Sequence, residues 1–111
     1  MSKKFLVTGA SGFIGSHVAD FLTSKGHKVF LFDKKFSKFK KTNQKMLLGD
    51  INSLNDLYKV TKKIHTIFHF AASADLNEAN SKPFNTVENN IMGTVKILQA
   101  CLKNKIKKII F

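Results

Sequence analysis

The chain has no arginine and no tryptophan, one proline and one cysteine, and only 7 acidic residues to set against 19 lysines, giving a formal charge of +12 over 111 residues. Each shortage excludes something. A charge of this size would ordinarily raise nucleic acid as a partner. Without arginine, however, there is no planar fork to read guanine edges or to grip phosphates in pairs, and the lysines do not alternate with aromatics on one face. Specific nucleic-acid binding is therefore not expected, and a solvated lysine surface that draws in anionic ligands is. Cys101 is alone, so no disulfide can form within the chain and a reducing, cytoplasmic setting is expected, with the thiol a small core group. The start, Met1-Ser2-Lys3-Lys4, has only Phe5-Leu6-Val7 before Thr8, too little for a signal-peptide core. No run reaches membrane-spanning length either, so no membrane association is expected. A metal site is not indicated, because His69 has no second His, Cys or carboxylate at ligand spacing.

What is present is organised around Phe5-Leu6-Val7-Thr8-Gly9-Ala10-Ser11-Gly12-Phe13-Ile14-Gly15, an apolar run broken by three glycines at three-residue spacing. A strand turning abruptly into a helix leaves the first helical N–H groups unpaired, and glycine lets an anion approach them without meeting a Cβ. The helix that follows predicts Ile14, Val18, Phe21 and Leu22 on its inner stripe, with Gly26 as a left-handed stop. Lys28 to Asp33 repeats the buried-strand pattern and ends in a carboxylate eighteen residues after Gly15. A strand, turn, helix and strand deliver that carboxylate beside the first turn, where it can accept both ribose hydroxyls of an adenosine. Lys34 or Lys35 could reach a 2′-phosphate and favour NADP. Asp33 would repel that phosphate, so NAD is the preferred cofactor.

Met46 to Ile51 gives a third strand ending at Asp50, and Ser53 opens a helix to about Lys63. That helix carries Tyr58 and Lys62, four apart, in imitation of a reductase Tyr-x-x-x-Lys pair. It precedes the fourth strand and so lies on a sheet flank, away from the carboxyl ends of the strands where ligands of such sheets bind. Thr66 to Phe70 is the fourth strand, and Ala71-Ala72 at its end allow a flat ligand close to the backbone. After Pro83 a long helix is expected from about Asn85 to Lys103, with Ile91, Val95, Leu98 and Leu102 inward and Asn90 at its ligand end. Gly93 within it suggests close packing, and Lys107 to Phe111 begins a fifth strand. The alternation predicts an α/β fold: a single Rossmann-type, doubly wound parallel sheet over residues 1–111, in the order 3-2-1-4-5 and incomplete at its C-terminal side.

Thr8-Gly9-x-x-Gly12-Phe13-Ile14-Gly15, Asp33, Gly49-Asp50-Ile51, His69-Phe70-Ala71-Ala72, and Pro83 with Asn90-Ile91-Met92-Gly93-Thr94 stand in the order and spacing of a known family. Over nearly its whole length the chain resembles the extended short-chain dehydrogenases/reductases, specifically the NAD-dependent epimerase/dehydratase family acting on nucleotide sugars. The resemblance implies backbone contacts to the pyrophosphate of NAD at Gly9, Gly12, Phe13, Ile14 and Gly15, ribose binding at Asp33 with Lys34 beside it, and adenine contact at Asp50 and Ile51. It implies further that Phe70, Ala71 and Ala72 line the path to the nicotinamide, with Asn90 near it. Ala74 stands where some sugar epimerases carry Lys. Family catalysis uses a Ser or Thr after the fifth strand and then Tyr-x-x-x-Lys on the next helix, and the chain stops at Phe111, before all three. What is implied is the NAD-binding half of a nucleotide-sugar epimerase or dehydratase, without catalytic residues of its own. The parent would be a homodimer through the helix around residues 83–103. A stand-alone dinucleotide-binding or sensing module is the alternative.

Overall fold

Five parallel strands form one sheet in the order β3-β2-β1-β4-β5 in the computed structural model, which describes residues 3–71 and 80–111. Lys4–Thr8 (β1) lies at the centre, with Lys28–Asp33 (β2) and Gln44–Leu48 (β3) on one side and Thr66–His69 (β4) and Lys108–Ile110 (β5) on the other. Val7 is in register with Leu31 on β2 and with Phe68 on β4. Continuous apolar runs make such strands because both faces are covered, and successive residues supply opposite cores. Phe5, Val7, Val29 and Leu31 pack beneath Phe13–Ser24 (α1) with Ala19 and Leu22, while Leu6, Phe32 and Ile67 pack on the other face with Leu57, Ile97 and Ala100. Leu57 comes from Leu54–Val60 (α2), and Ile97 and Ala100 come from Gly93–Asn104 (α4). Helices on both faces of a parallel sheet in this order make a doubly wound, Rossmann-type α/β fold.

The element boundaries differ from expectation in three places. α2 ends at Val60 and not near Lys63, because Thr61 closes it: the Thr61 hydroxyl donates to the Leu57 carbonyl and Lys63 turns to a left-handed φ of 62°. The helix expected from Asn85 to Lys103 is three pieces, Pro83–Val87 (α3), a π-helical turn over Glu88–Met92, and α4. β3 starts earlier than Met46, since Gln44 is buried and its amide donates to Asp20 and Thr23 of α1.

The helix faces are the larger correction. In α4 the buried residues are Gly93, Ile97 and Ala100, whereas Ile91, Val95, Leu98 and Leu102, expected inward, are exposed, Leu102 to 76%. The two sets are offset by two residues, about 200° around a helix, and so face opposite ways. In α1 the buried residues are Gly15, Ser16, Ala19 and Leu22, and Ile14 and Phe21 lie outside. Both helices set their small residues against the sheet, because a short side chain lets the helix backbone come close to packed strands. Gly93 likewise brings α4 close to the turn after β3: a Cβ there would stand 3.2 Å from Ile51 Cγ1.

Candidate functional site: a cleft at the carboxyl ends of the strands

The turn between β1 and α1 is held by two glycines and opened by a third. Gly9 has φ +69°, and a Cβ on it would stand 2.6 Å from the Phe70 carbonyl carbon and 2.7 Å from the Ala71 nitrogen, so the end of β4 passes hard against it. A Cβ on Gly15 would overlap the Gly9 carbonyl oxygen, which pins the first turn of α1 onto the glycine turn. Gly12 is different. Its φ of −83° and ψ of 174° are extended backbone that any residue adopts, and a Cβ would meet only the Gly9 oxygen, at an ordinary 3.4 Å. Among the described residues nothing requires glycine there. Gly12 is the N-cap of α1, no side chain caps the helix, and the residue borders an open cleft.

That cleft has a volume of about 490 Å³ and is walled by the ends of β1, β2, β3 and β4. Gly9 and Gly12 form one side, and Asp33, Lys34 and Lys35 the rim after β2. Phe32, Gly49, Ile51, Phe70, Ala71 and Asn89 complete it. Both carboxylate oxygens of Asp33 are oriented by backbone: Oδ2 accepts from Ser11 N–H at 3.0 Å and Oδ1 from Lys34 N–H at 2.7 Å. A strand-end carboxylate held in this way, beside a helix N-terminus with no side-chain cap, can take hydroxyl donors next to an anion bound at that terminus.

Of the residues singled out in the sequence, Gly9, Gly12, Asp33, Lys34, Ile51, Phe70 and Ala71 come together in this cleft. Phe13 and Ile14 stand at the first turn of α1 with exposed side chains, and Gly15 is buried behind the turn. Asp50 is not in the wall; its Oδ1 accepts from Asn52 N–H at 2.9 Å and its own N–H donates to Asp56 Oδ2. Ala72 lies outside the described residues. Asn90 is on the π-helical turn, where its carbonyl accepts from the Thr94 hydroxyl, and it is Asn89 that reaches the cleft, its Oδ1 also accepting from the Asn52 amide at 2.9 Å. The extra residue in a π turn shifts helical phase by about one position, and periodicity gives no warning of it. Gly49, also not singled out for the site, had a readable signal: it precedes Asp50 at the carboxyl end of a parallel strand.

Behind the cleft lies a buried polar link. Thr8 Oγ1 accepts from the N–H groups of Phe70 and Ala71 at 3.1 and 3.2 Å and contacts His69 Nδ1 at 2.7 Å. With its acceptor positions taken, the Thr8 hydroxyl donates to Nδ1, which places the imidazole proton on Nε2, facing Thr94 Oγ1 at 3.4 Å. Burial holds the His69 pKa below its usual value and the ring neutral. His69 is therefore a strut between β1, β4 and α4, and among the described residues no cluster suited to a metal includes it. Tyr58 is also accounted for: the Lys103 ammonium sits 4.6 Å over its ring, and neither Tyr58 nor Lys62 borders the cleft.

Residues 5–111 match the model of the NAD dependent epimerase/dehydratase family. The chain belongs to this family. It is 37% identical to a UDP-N-acetyl-alpha-D-glucosaminuronate decarboxylase from Bacillus cytotoxicus, over 100% of this chain and 36% of that protein. To a UDP-glucose 4-epimerase from Halalkalibacterium halodurans it is 36% identical, over 96% of this chain and 33% of the relative. Among solved structures, MoeE5 in complex with UDP-glucose and NAD superposes with a TM-score of 0.86 at 31% identity, covering 96% of this chain and 34% of that one. The chain thus spans about a third of the length of these family members. Among the described residues no helix is long and apolar enough to cross a membrane.

Proposed function

We propose that this chain is the NAD-binding part of a nucleotide-sugar epimerase or dehydratase. The single observation that carries the reading is Gly12, a glycine required by no contact among the described residues, at the mouth of a cleft where a helix N-terminus and an oriented carboxylate stand beside one another. In this reading the turn from Gly9 to Gly15, with the N–H groups of Phe13 and Ile14, receives the pyrophosphate, and Asp33 receives the adenosine ribose hydroxyls. Ile51 with Asn89 borders the adenine, and Phe70 and Ala71 flank the nicotinamide path. Bound NAD supplies the hydride acceptor for a sugar carbon. Tyr58 and Lys62 do not reach the cleft, so this pair does not supply the proton transfer. Asp33 disfavours a 2′-phosphate by its charge, which makes NAD the preferred nucleotide over NADP.

Titration calorimetry tests this. The chain is expected to bind NAD, and Gly12→Val to weaken binding more than about tenfold while costing no more than about 1 kcal/mol of stability, the loss expected of an apolar N-cap. A variant that binds NAD as the wild type does would remove the reading's support.

A second reading concerns assembly. The outward stripe of Val95, Leu98 and Leu102, continued by Ile91 and Val87, is the face by which the assembled enzyme would pair as a homodimer. Sedimentation of the chain with and without Leu98→Lys checks it, a monomer being expected only for the variant.

A further inference from the structure

Ser11 stands between two features of the cleft and is bonded to both. Its N–H donates to Asp33 Oδ2 at 3.0 Å, and its hydroxyl donates to the Lys35 carbonyl at 2.6 Å, tying the segment after β2 to the glycine turn. Lys34, inside the tied segment, donates its own N–H to Asp33 Oδ1 at 2.7 Å. A carboxylate offers about four lone-pair positions. Here each oxygen spends one on a backbone N–H, which leaves one on each, side by side, the arrangement a vicinal diol fills with two hydroxyl protons.

Lys34 and Lys35 line the same cleft, and among the described residues neither ammonium is ion-paired; the ion pair formed there is Lys41 with Asp20, at 4.0 Å. The rim therefore holds two opposed recognition elements within three consecutive residues. One is a carboxylate that accepts a diol and repels a phosphate, and the other is a pair of ammoniums that would welcome a phosphate.

We propose that Ser11 is a positioning residue that sets the choice between a free 2′-hydroxyl and a 2′-phosphate on the bound dinucleotide. It does so through its hydroxyl, by clamping the Lys34–Lys35 backbone so that Asp33 stays fixed toward the ribose. The inference rests on the NAD-binding reading above. Loss of the hydroxyl frees the Lys35 carbonyl, loosens the Lys34 N–H from Asp33, and lets the carboxylate turn aside while the two ammoniums move toward the ribose.

The test is calorimetric titration of the chain with NAD and with NADP, for wild type, Ser11→Ala, Ser11→Thr, Asp33→Asn and the Ser11→Ala/Asp33→Asn pair. One hydrogen bond of this kind corresponds to roughly a fivefold change in binding. Ser11→Ala is expected to weaken NAD by about that factor and to narrow the NAD/NADP affinity ratio similarly, and Ser11→Thr to keep the ratio. Asp33→Asn collapses the ratio by itself, and Ser11→Ala added to it changes NAD affinity by less than about twofold, because the group it acts through has lost its charge. Intact NAD binding with an unchanged ratio in Ser11→Ala, or a full Ser11 effect persisting beside Asp33→Asn, overturns this inference alone. Binding of neither nucleotide by the wild type overturns the NAD reading and this inference with it.

Discussion

The glycine turn after β1 and the helical segment after Pro83 both bring a glycine against a neighbour, yet they tolerate change very differently. At Gly15 an added Cβ overlaps a backbone carbonyl, and the carbonyl belongs to Gly9, itself fixed by a positive φ and by the end of β4. At Gly93 an added Cβ meets Cγ1 and Cγ2 of Ile51 at 3.2 and 3.3 Å, side-chain atoms that need give by only a few tenths of an ångström. One contact is rigid because every atom in it is main chain held from two sides. The other is soft, although both look in the sequence like glycine in or near a helix. Functional geometry here rests on the rigid kind.

The sharpest way to break the comparison is to add the same methyl group to both. Gly15→Ala is expected to cost about 4 kcal/mol or more, since no rotamer change can relieve the overlap, whereas Gly93→Ala should lie within about 1 kcal/mol of wild type because the gain in helix propensity offsets the crowding. Urea denaturation of the two variants decides it, and equal losses would mean that the turn can relax. Next in size is the choice of faces on α4. Ile97→Ala is expected to cost about 3 kcal/mol, as a fully buried side chain leaves a cavity between helix and sheet, while Leu102→Ala on the opposite face, made in the monomeric Leu98→Lys background, should change stability by less than about 0.5 kcal/mol. A large loss at Leu102 in that background would show that the outward stripe is covered by another part of the molecule.

These two regions also mark where sequence reading succeeds and where it fails. β1 and β2, the strand order, the glycine turn and Asp33 are legible because each follows from a local constraint: a continuous apolar run, a backbone conformation glycine favours, a carboxylate at the end of a strand. The facing of α1 and α4 is not legible, because both helices are apolar on more than one side. Periodicity weights the large side chains, Phe21 or Leu102, while the sheet selects the small ones, Ala19 and Ala100. Asn89 was passed over for Asn90 for a related reason, since a π-helical turn alters phase without altering composition. The Ser11 contacts to Asp33 and Lys35 span 22 and 24 residues, and no local pattern announces them.

The smallest expected effect concerns the residue that joins the two regions. His69 receives a hydrogen bond from Thr8, beside the rigid turn, and faces Thr94, in the first turn of α4. Burial lowers its folded-state pKa below the usual 6.5, so below that pH the unfolded chain takes up a proton that the folded chain resists. Stability from this group is fully present above about pH 6.5 and falls as pH drops from there toward the depressed folded value. Protonation would also place a hydrogen on Nδ1, where the Thr8 hydroxyl now donates, so that the link between turn and helix opens from the turn side. His69→Gln is expected to cost about 1 kcal/mol at pH 7.5 and to flatten the fall in urea midpoint between pH 7 and 5 relative to wild type. Equal pH slopes in the two proteins would mean that the ring titrates as it does in water, and that the glycine turn and α4 are joined through the sheet alone.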